Sequence, residues 1–148
     1  MAMLDTKLKS TAFVVSTGRT GTKAIAQYLG DCFEDVTALH EPKPSRHLRM
    51  ASTARLANRK SKEELATLLG ESRRDICQDL STSKYVESNP FLYGFVDVLP
   101  EVFPKPHLLH VVRDPRTMIR SALNFRSQRG IKWLLSTFWP NWIIKPEL

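Results

Sequence analysis

The chain has 148 residues, of which 42% are hydrophobic, which excludes a disordered chain and allows one buried core. Its formal net charge of +7 favours anionic partners, although charge alone does not separate a nucleotide enzyme from a nucleic-acid binder. Cys32 and Cys77 lack the spacing of a metal knuckle or a disulfide framework, and residues 1–9 do not resemble a signal peptide, so we expect a cytoplasmic protein without a transmembrane segment.

The first predicted elements are a buried strand, a glycine turn and a helix within residues 13–29. Gly18 and Gly21 permit positive φ and close backbone approach. A helix that begins near Thr20 directs N–H groups and the positive end of its dipole beyond the carboxyl end of the strand. Four side chains add charge or hydroxyl donors there: Arg19, Thr20, Thr22 and Lys23. The segment therefore predicts a site for a phosphate or a sulfate.

The order Gly21-Thr22-Lys23 departs from the loop of nucleoside triphosphatases, in which lysine follows the second glycine and a hydroxyl residue then holds magnesium. The dinucleotide fingerprint also fails, because residues 18–21 lack its G-x-G opening. The segment resembles the 5′-phosphosulfate loop of the sulfotransferases, where a strand ends in Lys or Arg followed by Ser/Thr-Gly-Thr and a helix. An ordinary strand-to-helix turn with incidental basic residues is the alternative interpretation.

A short second strand is predicted over residues 36–39, which are Val-Thr-Ala-Leu. It ends at His40-Glu41-Pro42, because proline cannot continue a strand in the centre of a sheet. A polar and basic helical region is expected from about residue 46 to residue 58.

The next helix has a clear start signal, because Ser61 and Glu64 have the spacing of a capping box. Its predicted inner stripe consists of Leu65, Leu68, Leu69, Ser72 and Ile76. Arg73 and Arg74 are expected on the outer face as solvated charges.

Two more strands are predicted over residues 84–88 and 107–112. The second of these is a continuous apolar run, which is typical of buried parallel strands. After each strand, an Asn-Pro or Asp-Pro pair predicts a helix, over about 90–99 and 115–125. The alternation of strands and helices predicts an α/β fold in three layers with a central parallel sheet.

A second anion site is predicted around Arg113, which stands at the carboxyl end of the fourth strand, where open α/β sheets present ligand groups. Ser121 follows about two helical turns later. An arginine fork with a hydroxyl suits a terminal phosphate monoester. The spacing, opened by Arg-Asp-Pro-Arg, is similar to the 3′-phosphate motif of sulfotransferases. In the alternative interpretation, Arg113 pairs with Asp114 or another neighbour and Ser121 faces solvent.

The resemblance covers residues 11–125 and implies a P-loop NTPase-like sulfotransferase fold. It implies the donor 3′-phosphoadenosine 5′-phosphosulfate, the product adenosine 3′,5′-bisphosphate and no metal. The implied activity is transfer of a sulfuryl group to a hydroxyl or amine of a small-molecule acceptor such as a carbohydrate. Because the family's domain normally continues further, residues 1–148 are expected to form a single domain that is incomplete at its carboxyl end.

The resemblance also assigns residues to the donor. Arg19 stands where the family places its catalytic Lys or Arg, and its fixed charge would stabilise the leaving-group oxygens. The 5′-phosphate would be held by Arg19 and by Thr20, Gly21, Thr22 and Lys23, and the 3′-phosphate by Arg113 and Ser121.

Glu41 is the first choice of base, because His-Glu-Pro resembles the Glu-Pro after the second strand in carbohydrate-type members, a strand expected beside the first. A solvated Glu41, or one paired with Arg19, is the alternative. His40 is the neighbouring candidate, and alternation along a strand predicts that only one of the two faces the site. Glu87 and Asn89 are expected to contact the acceptor, as is His40.

Two rival functions remain at this point. A P-loop nucleotide or small-molecule kinase would need magnesium ligands, and the displaced Lys23 and the lack of a clear Asp at a strand end speak against it. No metal site is expected, since His107 and His110 face opposite ways on a strand. A non-catalytic basic module could bind nucleotides or polyanions, but the chain lacks the aromatic platform of single-strand binders, so no nucleic-acid partner is expected. The apolar, aromatic segment 133–144 would pack on the domain or support a homo-oligomer.

Overall fold

Four parallel strands form the sheet of the first of two compact units, which ends at Val111. The computed structural model describes residues 8–16 and 19–123, with side chains up to residue 121. The strands are β1 (Ser10–Ser16), β2 (Val36–His40), β3 (Lys84–Ser88) and β4 (Pro106–Val111). Their order in the sheet is β2-β3-β1-β4. The predicted α/β fold with a central parallel sheet is confirmed.

Helices connect the strands as the sequence predicted. The first unit contains α1 (Thr22–Cys32), α2 (Ser45–Leu56), α3 (Lys62–Asp79), a 3₁₀ helix (Pro90–Phe95) and α4 (Leu99–Val102). The second unit begins at Val112 and contains α5 (Pro115–Leu123). The segment after Asn89 was predicted as one helix to about residue 99, but it is a 3₁₀ helix followed by a turn and the short α4. The single domain over residues 1–148 stays a prediction.

The strand order corrects one expectation, because β3 lies between β1 and β2. The prediction that the second strand lies beside the first was therefore wrong. The register pairs Val14 of β1 with Ser88 of β3, and Ser88 with His40 of β2. The carboxyl ends of these three strands consequently meet at one edge of the sheet, and the side chains that follow them share that edge.

The core lies on the face of the sheet that α3 and the 3₁₀ helix cover. Three aromatic rings form its centre, with Phe13 packed against Phe103 at 4.8 Å between ring centroids and Tyr85 at 6.4 Å from each. All three are fully buried. The opposite face carries α1, whose Gly30 packs close to Ala38 of β2. Helices thus cover both faces of β1 in the middle of the sheet.

The start of α3 confirms the predicted capping box. Ser61 Oγ accepts a hydrogen bond from the Glu64 backbone at 3.2 Å, and the Glu64 carboxylate accepts one from the Ser61 backbone at 2.7 Å. The expectation for Arg73 was wrong, since its side chain is fully buried rather than solvated. Arg73 follows Leu69 by one helical turn, so it continues the apolar stripe into the core, where Glu87 compensates its charge.

The fourth strand also differs from its prediction. Residues 107–110 of β4 are exposed, and β4 is the last strand on its side of the described sheet. Leu108 and Leu109 expose 48% and 51% of their surface. Apolar composition alone therefore did not distinguish a central strand from a terminal one. Within the described residues, no helix combines the length and apolar character that crossing a membrane requires.

Candidate active site

The loop of residues 19–23 connects β1 to α1 and places the start of the helix at the carboxyl edge of the sheet. Gly21 is the N-cap residue of α1 and has φ 87°, a left-handed conformation that favours glycine. The first intrahelical bond runs from the Ile25 N–H to the Gly21 carbonyl at 3.1 Å. The preceding N–H groups of α1 therefore have no acceptor within the helix, and the first turn carries no acidic residue. This geometry is suited to an anion.

Thr20 provides a second indication of a ligand at the 19–23 loop. Its Oγ1 atom is buried and has no hydrogen-bond partner among the residues that the structure describes. A buried hydroxyl without a partner costs about 1–3 kcal/mol, so such an atom is unusual unless a ligand satisfies it. A side chain built at Gly21 would meet no atom within 4 Å, so the space above the loop is open. Arg19, at φ 56°, and Lys23 are exposed beside it.

Ser88, at the end of β3, joins the 19–23 loop to the end of β2. Its buried Oγ donates a hydrogen bond to the Thr22 carbonyl at 2.8 Å. Its carbonyl accepts hydrogen bonds from the Glu41 backbone and from His40 Nδ1, both at 3.0 Å. One residue therefore links the 19–23 loop to the two candidate bases.

His40 and Glu41 lie side by side, with 3.5 Å between His40 Nε2 and Glu41 Oε1. The expectation that alternation directs these two side chains to opposite faces of the sheet was wrong. Which of them faces the site stays a prediction. Glu41 follows the strand at φ 47°, and this left-handed turn cancels the alternation that an extended strand would impose. The two side chains are 24% and 36% exposed, so both reach solvent.

The contacts of His40 also determine where its proton lies. The Ser88 carbonyl can only accept a hydrogen bond, so its contact with Nδ1 requires the proton on that nitrogen. Nε2, the other ring nitrogen, then faces the Glu41 carboxylate.

Glu87 and Asn89, the predicted acceptor contacts, are both fully buried. The Glu87 carboxylate accepts hydrogen bonds from Arg73 Nε and Nη2 at 2.7 Å each, from Tyr85 Oη at 2.9 Å and from Asn89 Nδ2 at 2.9 Å. Asn89 Oδ1 accepts from the Phe91 backbone at 3.0 Å, which confirms Asn89 as an N-cap. Both side chains are therefore hydrogen-bonded within the fold, and their contact with the acceptor stays a prediction.

Burial shifts the pKa values of the side chains around Glu87. Burial of Arg73 lowers its pKa, but the hydrogen bonds and the charge of Glu87 together outweigh it, so the Arg73 pKa is raised. Burial and then the charge of Glu87 raise the pKa of Tyr85 well above its ordinary value and that of Cys77 to about 11. Tyr85 and Cys77 are thus neutral at physiological pH, and the charges of Arg73 and Glu87 balance each other.

The second unit holds the predicted 3′-phosphate residues. Arg113 is exposed, and its Nε donates a hydrogen bond to Thr117 Oγ1 at 3.1 Å. Asp114 precedes the first residue of α5 and accepts from the Arg116 backbone at 3.2 Å, which confirms the predicted helix start. Ser121 is half-buried on the same helix. The convergence of Arg113 and Ser121 with the 19–23 loop on one nucleotide stays a prediction.

Two residues of the site were missed by sequence reasoning, Ser88 and Arg73. Alternation from Val86 places Ser88 on the α1 face, and the apolar stripe of α3 contains position 73, so a signal existed for each.

Among the residues that the structure describes, no three His, Cys, Asp or Glu side chains are grouped as metal ligands. The segment 133–144 lies outside the described residues.

A family comparison agrees with this arrangement. The model of the sulfotransferase family matches residues 12–140, which include the 19–23 loop, Glu41 and Arg113. The chain belongs to the sulfotransferase family. The predicted resemblance is therefore confirmed, and the sheet and the strand-loop-helix unit of this sulfotransferase-family chain are consistent with the P-loop-like fold. No curated protein matches the chain at a significant level.

Proposed function

We propose that this chain transfers a sulfuryl group from 3′-phosphoadenosine 5′-phosphosulfate to a hydroxyl or amine of a small acceptor such as a carbohydrate. The observation that carries the proposal is the 19–23 loop, in which Gly21 caps α1 in a left-handed conformation and the buried Thr20 Oγ1 has no hydrogen-bond partner among the described residues. Membership of the family supports sulfuryl transfer as the reaction. These loop residues fit an anionic donor.

In the proposed complex, the first N–H groups of α1, Thr20 Oγ1 and the Lys23 ammonium hold the 5′-phosphosulfate group. Arg19 lies beside the bridging oxygen, where negative charge grows as the sulfur–oxygen bond breaks. Arg113 and Ser121 bind the 3′-phosphate, and the guanidinium fork of arginine suits the oxygens of a phosphate monoester.

Glu41 acts as the base in the proposed reaction. It accepts the proton of the acceptor O–H or N–H while that oxygen or nitrogen forms a bond to sulfur. The bond between sulfur and the phosphate oxygen breaks, and adenosine 3′,5′-bisphosphate leaves with the electron pair. His40 hydrogen-bonds to the Ser88 carbonyl and faces Glu41, so it can take over the proton.

Isothermal calorimetry tests the proposal with adenosine 3′,5′-bisphosphate in the presence of a chelator, compared with ATP and magnesium. We expect metal-independent binding of the bisphosphate and weaker binding of ATP. Preference for ATP with magnesium would instead identify the kinase alternative. A positive result is followed by transfer of labelled sulfate to a panel of sugars and hydroxyl compounds. Bisphosphate binding without any transfer would favour the non-catalytic basic module.

A further inference from the structure

Arg73 connects the buried network of β3 to the segment 41–44, which follows β2 and is called here the Glu41 loop. Its Nε and Nη2 atoms donate to the Glu87 carboxylate at 2.7 Å each. Its third nitrogen, Nη1, donates to the Lys43 carbonyl at 3.3 Å and also to the carbonyl and the hydroxyl of the neighbouring Ser72, at 3.2 and 3.4 Å. The guanidinium thus contacts β3 on one side and the Glu41 loop on the other.

The Glu41 loop is held at two further points. The Glu41 N–H donates to the Ser88 carbonyl at 3.0 Å. Ser45 Oγ lies 2.6 Å from the Glu41 carbonyl and 2.8 Å from the Pro42 carbonyl. Glu41 itself has φ 47°, which is unfavourable for a residue with a side chain, so the loop needs external contacts to keep this conformation.

The orientation of the Arg73 fork is determined by Glu87. Tyr85 and Asn89 complete the hydrogen bonds of that carboxylate, and all four side chains are fully buried. A buried ion pair is on average no more stabilising than an apolar pair of the same shape, so net stability does not account for it. The planar Arg73 guanidinium, bonded to Glu87 on one side, can instead hold the Lys43 carbonyl in a fixed position on the other.

We propose that Arg73 is a positioning residue for the base: its buried guanidinium, fixed by Glu87, holds the Lys43 carbonyl and keeps the Glu41 carboxylate beside His40 at the carboxyl edge of the sheet. This inference rests on the proposed function for its catalytic consequence. Its structural part, the hold on the Glu41 loop, is independent of any activity.

The test uses the double variant R73M/E87Q, which removes both charges and leaves Tyr85 and Asn89 with a hydrogen-bonding amide. The control is R74M, because Arg74 is the exposed neighbour on the same helix. We expect the Glu41 amide hydrogen to exchange about tenfold faster in the double variant, since the local opening of its loop becomes easier. The Asn89 amide, bonded to the Val14 carbonyl, reports on the sheet and should keep its rate. R74M should change neither.

Kinetics supply the second readout. In R73M/E87Q, kcat should fall about 10- to 100-fold because the base is displaced, while the affinity for adenosine 3′,5′-bisphosphate stays within about twofold. R73K should show the same pattern, because an ammonium keeps the charge but cannot reach Glu87 and Lys43 together. R73K also replaces the double variant if the latter does not fold.

The possible outcomes distinguish the proposed sulfuryl transfer from the positioning role of Arg73. Unchanged Glu41 exchange in the folded variants overturns the hold on the loop, whether or not the chain transfers sulfate. Faster Glu41 exchange with an unchanged kcat overturns the positioning role. A wild-type chain without any transfer rejects the proposed function, and the exchange rates then still decide whether Arg73 holds the loop.

Discussion

Ser88 Oγ donates a hydrogen bond of 2.8 Å to the Thr22 carbonyl, which fixes the end of β3 to the first turn of α1. We expect Ser88→Ala to lower the free energy of unfolding by about 1 kcal/mol, measured by urea denaturation, because the bond is buried. It should also weaken binding of adenosine 3′,5′-bisphosphate, since the first turn of α1 loses a support. Thr53→Ala is the control, because its bond to the Arg49 carbonyl is exposed and water can replace it. Equal losses in the two variants would contradict the role of Ser88.

Glu41→Gln removes the proposed base while keeping the size of the side chain. Binding of adenosine 3′,5′-bisphosphate should stay nearly unchanged, and kcat for sulfuryl transfer should fall about 100-fold or more, because proton removal loses its acceptor. Initial rates at saturating donor measure the effect. Glu71→Gln, on the exposed surface of α3, should have the wild-type rate. If Glu41→Gln is equally active, Glu41 is not the base, and His40→Gln becomes the decisive variant.

Arg113→Ala tests the assignment of the 3′-phosphate. The affinity for adenosine 3′,5′-bisphosphate should fall at least about tenfold, because a charge-assisted hydrogen bond contributes about 1.5–3 kcal/mol. The affinity for adenosine 5′-phosphate, which lacks the 3′ group, should change little. Arg116→Ala serves as the matched control on the exposed start of α5. Similar losses for both nucleotides would separate Arg113 from the 3′-phosphate.

Gly21→Ala should destabilise the protein by roughly 1–2 kcal/mol, because φ 87° is a conformation that alanine adopts only with strain. The added methyl group meets no atom within 4 Å, so strain is the expected cause rather than a clash. Gly30→Ala is the control in the same helix, and its methyl group would lie at an ordinary 3.7 Å from Ala38. It should instead stabilise by about 0.5–1 kcal/mol, since alanine favours helices. Thermal unfolding of both variants would distinguish the two effects, and a stabilised Gly21→Ala would contradict the left-handed N-cap.

Glu64→Gln tests the charge in the capping box of α3. The backbone hydrogen bond from Ser61 and then Lys60 lower the pKa of Glu64, so the ionised side chain contributes stability above its unfolded pKa. That contribution is lost as the pH falls through the lowered value. The variant should therefore be less stable than the wild type near pH 7, and the difference should shrink below the unfolded pKa of about 4.3 and disappear once the pH is below the lowered folded pKa. Urea unfolding across this range, with Glu34→Gln as an exposed control, would show it. A difference that persists in acid would exclude charge as its origin.

The sequence predicted those features that depend on local chemistry. The capping box of Ser61 and Glu64, the strand over residues 84–88 and the helix after Asp114 each rest on residues close together in the chain, and the structure contains them. The position of the 19–23 loop between β1 and α1 belongs to the same group. Such features can be predicted from sequence because the hydrogen-bonding groups involved belong to residues that are neighbours in the chain.

Features that depend on distant partners were not predictable in this way. The apolar stripe of α3 includes position 73, but burial of a charged side chain there also depends on Glu87, 14 residues later, which accepts two hydrogen bonds and which no local pattern indicates. The order of β2, β3 and β1 depends on packing of whole elements rather than on any one strand. The left-handed turn at Glu41 follows from contacts with Ser88 and Ser45, so the shared position of His40 and Glu41 could not be deduced from alternation.

The two free thiols of the chain offer a route to a spectroscopic reporter. Cys77 is buried beside Glu87 with its pKa raised to about 11, so it is nearly unreactive towards alkylating dyes at neutral pH. Cys32 is exposed at the last residue of α1, whose first turn contains Thr22 and Lys23 of the 19–23 loop. A maleimide fluorophore should therefore label Cys32 at the carboxyl end of α1 without mutagenesis. Changes in its emission can then be followed while a nucleotide is titrated into the 19–23 loop at the amino end of the same helix.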